Sequence, residues 1–153
     1  MGLIGLVSDT HGLVRPAVFG ALAGVELILH AGDVGDGVLA ELRVVAPVLA
    51  VQGNTDPPIP GLAKVIELEV DGVRIHVSHG HEVGSPTPAK LLAAYAADVI
   101  VYGHTHRQLV VRAENRWVVN PGSAGPRRFD LRPSVAKMRI DRRAVDIELI
   151  ELE

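Results

Sequence analysis

No cysteine occurs in the 153 residues, which excludes disulfides and thiolate metal sites alike. Any metal would have to be held by His, Asp, Glu, Asn or backbone oxygen. Positive charge is not in excess either: the formal net charge is -3, which gives nucleic acid or a membrane surface no footing. No run of about 18 apolar residues exists, so no spanning helix is expected. The apolar run that opens at Leu3 has no basic segment or cleavage site before it, and a cytoplasmic protein is the expectation. Repeats, linkers and low-complexity tracts are missing too. What is abundant is apolar residue content, 48% of the chain, enough for a packed interior and contrary to disorder. The length fits one domain, residues 1–153, with a sizeable core.

The first half repeats one pattern, an apolar run, then a polar loop containing glycine, then a helix-like segment. Leu3–Val7, Val25–Leu29 and Val48–Val51 are predicted strands, short and continuously apolar as in a sheet buried on both faces. Arg15–Leu22 is a predicted helix with Pro16 in its first turn. A second helix is predicted over Gly37–Val44, with Asp36 as its N-cap. Strand–helix alternation with such short loops implies βαβ units and parallel pairing.

The middle reads differently. Thr55–Gly61 carries three prolines and is an irregular loop. Val65–Val70 and Val73–Ser78 flank Asp71-Gly72, a strong two-residue hairpin signal. Pro86–Ala97 is a predicted helix and Asp98–Tyr102 another buried strand. Leu109–Ala113 and Trp117–Val119 form a second hairpin around Glu114–Arg116, and Val135–Ile140 with Val145–Ile150 a third around Asp141–Ala144. The whole is an α/β chain with two sheets and helices on their outer faces.

Five loops, each following an apolar strand, hold the residues that carry chemistry. Ser8–Gly12 (SDTHG) has Asp9 and His11; His30–Asp36 (HAGDVGD) has Asp33; Gln52–Asp56 (QGNTD) has Asn54; Ser78–His81 (SHGH) has His79; Tyr102–His106 (YGHTH) has His104 and His106. The loops recur at intervals of about 25 residues, the length of a strand with its crossover, and in a parallel sheet such loops gather outside the carboxyl ends of the strands. Imidazole, carboxylate and carboxamide suit Mn, Fe, Zn, Co or Ni. Seven ligands exceed the needs of one ion and suit two ions about 3.5–4 Å apart with a bridging carboxylate. Asp33 is the best bridge, being the carboxylate nearest the middle of the set. Two divalent ions against Asp9, Asp33 and a hydroxide leave one positive charge, which favours an anionic phosphate. Gly32, Gly53 and Gly103 directly precede Asp33, Asn54 and His104, where backbone must approach closely.

Taken together, D-x-H, G-D-x-x-D, G-N-x-D, H-G-H and G-H-x-H, from Asp9 to about Arg127, resemble the calcineurin-like metallophosphoesterases. In its short form the set looks like the small YfcE-type phosphodiesterases. The resemblance implies a four-layer αββα sandwich with two mixed sheets flanked by helices. It implies two divalent ions, manganese first and Fe, Ni, Co or Zn as alternatives. Asp9, His11 and His106 would hold one ion, Asn54, His79 and His104 the other, with Asp33 bridging. Asp33, Asn54 and His104 are the ligands it assigns to catalysis, and a hydroxide at the centre would attack phosphorus in line with the leaving oxygen. The substrate would be a small phosphoester, with neither membrane nor nucleic acid as partner. A non-catalytic scaffold like the retromer subunit of the same fold is the alternative from another class, and a nuclease or protein phosphatase is a third. Many relatives have a histidine where this chain has Thr55. A threonine is no comparable proton donor, and the expected preference shifts toward diesters with good leaving groups.

Other residues are less determined by sequence. His30 is read as a satisfied core histidine, with support of the Asp33 loop as the alternative, and His76 as structural. His81 is read in the same way, a satisfied histidine first, with a substrate contact or support of a neighbouring ligand as the alternative. Asp56 either orients a neighbour or serves the turn. Asn120–Ser123 reads as a turn after a strand, although it also resembles a late motif of these phosphodiesterases. Arg127 and Arg128 match phosphate oxygens chemically, with a solvated charge pair as the competing reading. The apolar, proline-rich loop Pro57–Leu62 and the exposed hairpins offer surfaces for a homo-oligomer.

Overall fold

A computed structural model describes residues 2–58, 62–127 and 130–152. Residue names for ten strands and three helices follow chain order: β1 (Gly2–Val7), α1 (Pro16–Ala21), β2 (Leu27–His30), α2 (Val38–Leu42), β3 (Val48–Ala50), β4 (Val65–Val70), β5 (Val73–Ser78), α3 (Pro88–Ala94), β6 (Val99–Val101), β7 (Leu109–Ala113), β8 (Arg116–Asn120), β9 (Ser134–Asp141) and β10 (Ala144–Glu151). A single 3-10 turn, His81–Val83, lies between β5 and α3.

The strands build two five-stranded sheets, ordered β10-β9-β1-β2-β3 and β4-β5-β6-β8-β7. In the first, β1, β2 and β3 run parallel and β9 and β10 close one edge antiparallel. In the second, β5, β6 and β8 run parallel while β4 and β7 are antiparallel edges. Both sheets are therefore mixed; the parallel strands are central in the second, while in the first β3 is a parallel edge. Between them lies a core of β-branched and aliphatic side chains, including Ile4, Leu6, Leu29, Ile75, Val77, Val101, Val119 and Met138. A second cluster joins the outer face of the first sheet to α1 and α2 through Val18, Leu22, Ile28, Val38 and Leu42. A third joins the outer face of the other sheet to α3 through Leu91, Ile100 and Val118. These three interiors define an αββα sandwich. Burial of β1, β2 and β6 on both faces explains their apolar runs; β3, an edge with Leu49 exposed, is covered on one face only.

Differences from expectation sit at element ends. Asp36 does not cap α2: the helix starts at Val38 behind Gly37, which has φ 80° and so ends the loop in a left-handed turn. The helix after the 3-10 turn is shorter than Pro86–Ala97, because Thr87 caps it by accepting from the Lys90 amide and Tyr95 is already extended. The second and third hairpins turn on two residues, Glu114-Asn115 and Arg142-Arg143, rather than three or four. Residues 59–61 of the proline-rich loop lie outside the described residues. Among the described residues no helix is long and apolar enough to cross a membrane.

Candidate metal centre

The loops leaving β1, β2, β3, β5 and β6 all start at carboxyl ends of parallel strands, so the topology delivers them to one edge of the sandwich. Backbone bonds then lace them together. Asp9 N–H donates to Gly32 O (3.0 Å), His11 N–H to Asp33 O (2.9 Å) and Gly12 N–H to Val34 O (2.9 Å). In the other sheet Gly103 N–H donates to His79 O (2.9 Å). Among the bonds that cross between the sheets are His79 Nδ1–H to Ala31 O (2.8 Å) and His104 N–H to Asp9 Oδ2 (3.1 Å).

The donor atoms converge. Asp9, His11 and His106 offer ligand atoms within 4.8 Å of one another, and so do Asp9, Asp33 and His79. Asp9 Oδ1 lies 3.4 Å from His106 Nε2, 3.7 Å from His79 Nε2 and 4.0 Å from His11 Nε2. Asp33 Oδ2 lies 3.2 Å from His79 Nε2 and 3.7 Å from His11 Nε2. His11 and His106 face each other with Nε2 atoms 3.4 Å apart. His104 is half-buried, its ring edge-on to His79 at 5.2 Å between centroids. Asn54 is exposed, and its neighbour Thr55 donates its amide to Asp33 Oδ1 (2.9 Å). His104 thus borders the two tight donor groups of histidines and carboxylates without belonging to them.

A cation fits this arrangement on two grounds. Asp9 Oδ1 and His79 Nε2 are buried and make no aligned hydrogen bond, a costly state for polar atoms unless a ligand takes their lone pairs. His79 donates through Nδ1 to Ala31, which leaves Nε2 as the lone-pair nitrogen, the tautomer a metal requires. Electrostatics agree. Burial lifts the Asp9 carboxyl to about 6, against the pull of His79 and the Ser8 hydroxyl. Burial also acts on Asp33, but contact with His79 and the Thr55 amide outweighs it and holds that carboxyl below its usual range. Burial would lower His79, yet Asp33 and Asp9 raise it overall. Two carboxylates thus draw positive charge, proton or metal, to Nε2. His104 is lowered by burial and by its neighbours His79 and His81.

The backbone at the site is unusual. Asp9, His11, Asp33, His104 and His106 have φ of 54°, 46°, 54°, 74° and 64°, in the left-handed region where non-glycine residues are uncommon but Asp and His are tolerated. The glycines make room. A Cβ on Gly103 would overlap Ser8 Oγ and stand 2.5 Å from Asp9 Oδ2, and one on Gly53 would overlap Asp33.

Several residues have roles that sequence left open or missed. Asp56 is buried, and its carboxylate accepts from Val34 N–H (3.0 and 3.1 Å), Gly35 N–H (3.2 Å) and Gly53 N–H (2.9 Å). It pins the loops after β2 and β3 to each other. His30 is a core histidine: Nδ1 accepts from Gly32 N–H (3.1 Å), Nε2 bonds Thr10 Oγ1 (2.9 Å), and burial lowers its pKa to about 3. His76 is buried, 2.8 Å from Ser78 Oγ and stacked on Tyr95. Asn120–Ser123 is more than a turn. Asn120 Nδ2 donates to Gly103 O (3.3 Å) and Thr105 Oγ1 (3.0 Å), and Ser123 Oγ–H donates to Asp9 O (2.9 Å). Only the polar residue types could have signalled this buttress in the sequence. His81 is exposed, 5.3 Å from the His79 ring. Arg127 lines a separate cavity with Arg15 and Arg132, and Arg128 lies outside the described residues.

Residues 3–143 match the family described as the calcineurin-like phosphoesterase superfamily domain. A probable metallophosphoesterase of Methanothermobacter thermautotrophicus is 39% identical, the match covering 97% of this chain and 91% of that one. A phosphodiesterase of Methanocaldococcus jannaschii, MJ0936, is 30% identical over 78% of this chain and 82% of its own. Wild-type Vps29 of Entamoeba histolytica, solved with zinc, superposes with a TM-score of 0.82 at 22% identity, covering 97% of this chain and 98% of that one.

Proposed function

This chain belongs to the calcineurin-like phosphoesterase superfamily, and from that membership we propose that it is a divalent-metal-dependent phosphodiesterase acting on a small phosphoester at a two-ion centre. The observation that carries the reading is the pair of donor groups sharing Asp9, with the lone pairs of Asp9 Oδ1 and His79 Nε2 buried and unbonded between them. We assign Asp9, His11 and His106 to one ion, Asn54, His79 and His104 to the other, and Asp33 to the bridge. In support, a single oxygen, Asp33 Oδ2, lies within 3.7 Å of His11 and 3.2 Å of His79, one histidine from each set. Bound ions, manganese first and Fe, Ni, Co or Zn as alternatives, would supply an activated nucleophile and positive charge for the phosphoryl oxygens.

The chain's own residues set the stage for that chemistry. Ser8 and the His104 amide fix one oxygen of Asp9 and leave the other free. Ala31 fixes the His79 tautomer, and the Thr55 amide fixes Asp33. Thr55 offers no proton to a leaving alkoxide at neutral pH, so diesters with stable leaving groups are the preferred class. The name of the Methanocaldococcus relative points the same way.

The test is a hydrolysis screen of aryl diesters, alkyl monoesters and cyclic nucleotides with several metals. The expected result is metal-dependent turnover with higher kcat/KM on an aryl diester than on an alkyl monoester. Unchanged metal-dependent activity in both Asn54→Ala and His79→Ala would sink the ligand assignment. The likeness to Vps29 favours a second reading, a scaffold that binds protein and turns over nothing. Purified protein that takes up no metal and hydrolyses nothing after Mn or Ni addition would select it.

A further inference from the structure

We infer that Arg15, Arg127 and Arg132 form a second anion site, for a phosphate-class group, on the same edge of the sandwich as the metal centre. The three guanidinium side chains line one cavity of about 310 Å³ together with Pro133 and Leu152, and among the described residues no carboxylate lines it. Such a gathering of like charge is unfavourable by itself. In a chain whose net charge is -3, it is not the by-product of a generally basic surface. Arg127 and Arg132 are exposed, and among the described residues their side chains enter no ion pair.

Arg15 is held in place. It is half-buried, and its Nε–H donates to Gly125 O at 2.9 Å, which leaves the two terminal nitrogens to point elsewhere. Gly125 in turn packs so closely on Thr10 O that a Cβ there would overlap it. Thr10 is itself pinned by His30 and by its bond to Val34 O (2.7 Å). The segment Ser123–Gly125 therefore separates the two sites. On one side Ser123 Oγ–H and Ala124 N–H hold Asp9 O (2.9 Å) and Ser8 O (3.0 Å); on the other, Gly125 O holds Arg15. A preoriented guanidinium with two more beside it matches the several oxygens and double charge of a phosphate group better than a single carboxylate.

The site stands whether or not the metal centre is catalytic. Only its link to substrate rests on the phosphodiesterase reading. The ligand is either a second phosphate carried by the ester or free phosphate, and both present the same oxygens.

The experiment uses the metal-loaded full chain, titrated with inorganic phosphate by calorimetry, in wild type and in the double variant Arg127→Met/Arg132→Met. The exposed positions should leave the fold intact, which circular dichroism checks, and Arg127→Lys/Arg132→Lys restores charge without the fork. The expected result is loss of one binding event, or at least a tenfold rise in its Kd, in the Met variant, with partial recovery in the Lys variant. Identical phosphate isotherms for wild type and the Met variant would overturn the site. If the metal centre takes no phosphate, wild type binds one and the Met variant none, so the two readings fail separately. A second arm compares KM for an aryl diester with and without an added terminal phosphate. A lower KM for the phosphorylated ester, abolished in the Met variant, assigns the site to substrate; equal values assign it to free phosphate.

Discussion

Asp56→Asn should loosen the metal centre without touching a ligand. The carboxylate is buried, and it accepts from three backbone amides on two loops: Val34, Gly35 and Gly53. Asparagine keeps the shape and one acceptor oxygen. If that oxygen serves Val34 and Gly35, the new NH2 faces the Gly53 N–H, and a buried donor is left unsatisfied. Such a donor costs roughly 1–3 kcal/mol, and loss of charge from the two remaining bonds adds to it, for a total of about 3 kcal/mol. The Gly53 amide also shapes the turn that presents Thr55 N–H to Asp33 Oδ1 at 2.9 Å. Metal affinity should therefore fall by about 10–100-fold, the usual effect of losing a group that orients a ligand. The control is Asp36→Asn in the same loop, exposed and with no role as a cap, expected to stay within about 0.5 kcal/mol of wild type. Urea unfolding with chelator gives the stability, and competition titration with Mn gives the affinity. If Asp56→Asn unfolds at the same urea concentration as Asp36→Asn, the clamp reasoning is wrong.

Three further outcomes follow from the geometry. Gly103→Ala would drive a methyl into Ser8 Oγ and Asp9 Oδ2, costing about 1–3 kcal/mol; a thermal melt reads the loss, and a melt unchanged from wild type contradicts the close packing. His30 is neutral in the folded chain, its pKa lowered from 6.5 to about 3, so between those values the unfolded state alone takes up the proton. The contribution to stability is complete above pH 6.5 and is lost as pH falls, by about 1.4 kcal/mol per unit. Urea midpoints at pH 7 and 5 should differ accordingly, and the difference should shrink in a His30→Gln variant. Metal at about 100 times its Kd should add about 2.7 kcal/mol, a rise of about 5–10 °C in Tm. Because Asp9 titrates near 6, protons should compete with the metal and shrink that rise as pH drops below that value; a rise independent of pH between 5 and 8 would count against Asp9 as a ligand.

Local chemistry was the legible part of the fold. The β4–β5 hairpin lies where Asp71-Gly72 puts it, since both residues take positive φ, 48° and 80°, as that turn demands. Strands β1, β2 and β6 were legible as apolar runs because both faces are covered. The Arg142-Arg143 turn was not, although its φ values of 50° and 70° are of the same kind. Arginine has no preference for that conformation, and only the register of β9 with β10 imposes it. The overshoot at α3 has a tertiary cause as well. Tyr95 leaves the helix to stack on His76 and to donate its hydroxyl to Glu82 at 2.8 Å, contacts that helical periodicity cannot foresee.

At the site the legible and illegible parts coincide in the same residues. Asp9, His11, Asp33, His104 and His106 stand out in sequence by ligand chemistry, and the motifs gave no hint that each holds a left-handed backbone. Such a backbone costs of order 1 kcal/mol or more per residue and persists only where the surroundings over-determine it. The surroundings here are identifiable: the His11 amide bonded to Asp33 O, the His104 amide bonded to Asp9 Oδ2, Ser123 on Asp9 O, and Asp56 on the loop after Asp33. All four of these supports are polar bonds between loops distant in sequence. Two of them, the His104 amide on Asp9 Oδ2 and Ser123 on Asp9 O, exist only once both sheets have formed and packed on their shared core. The loops cannot take up their ligand geometry one at a time, so the centre should form as a unit at the end of folding. That places its local stability below that of the core strands, and bound metal should slow amide exchange at His11, Thr55 and His104 more than at Leu29 or Val101.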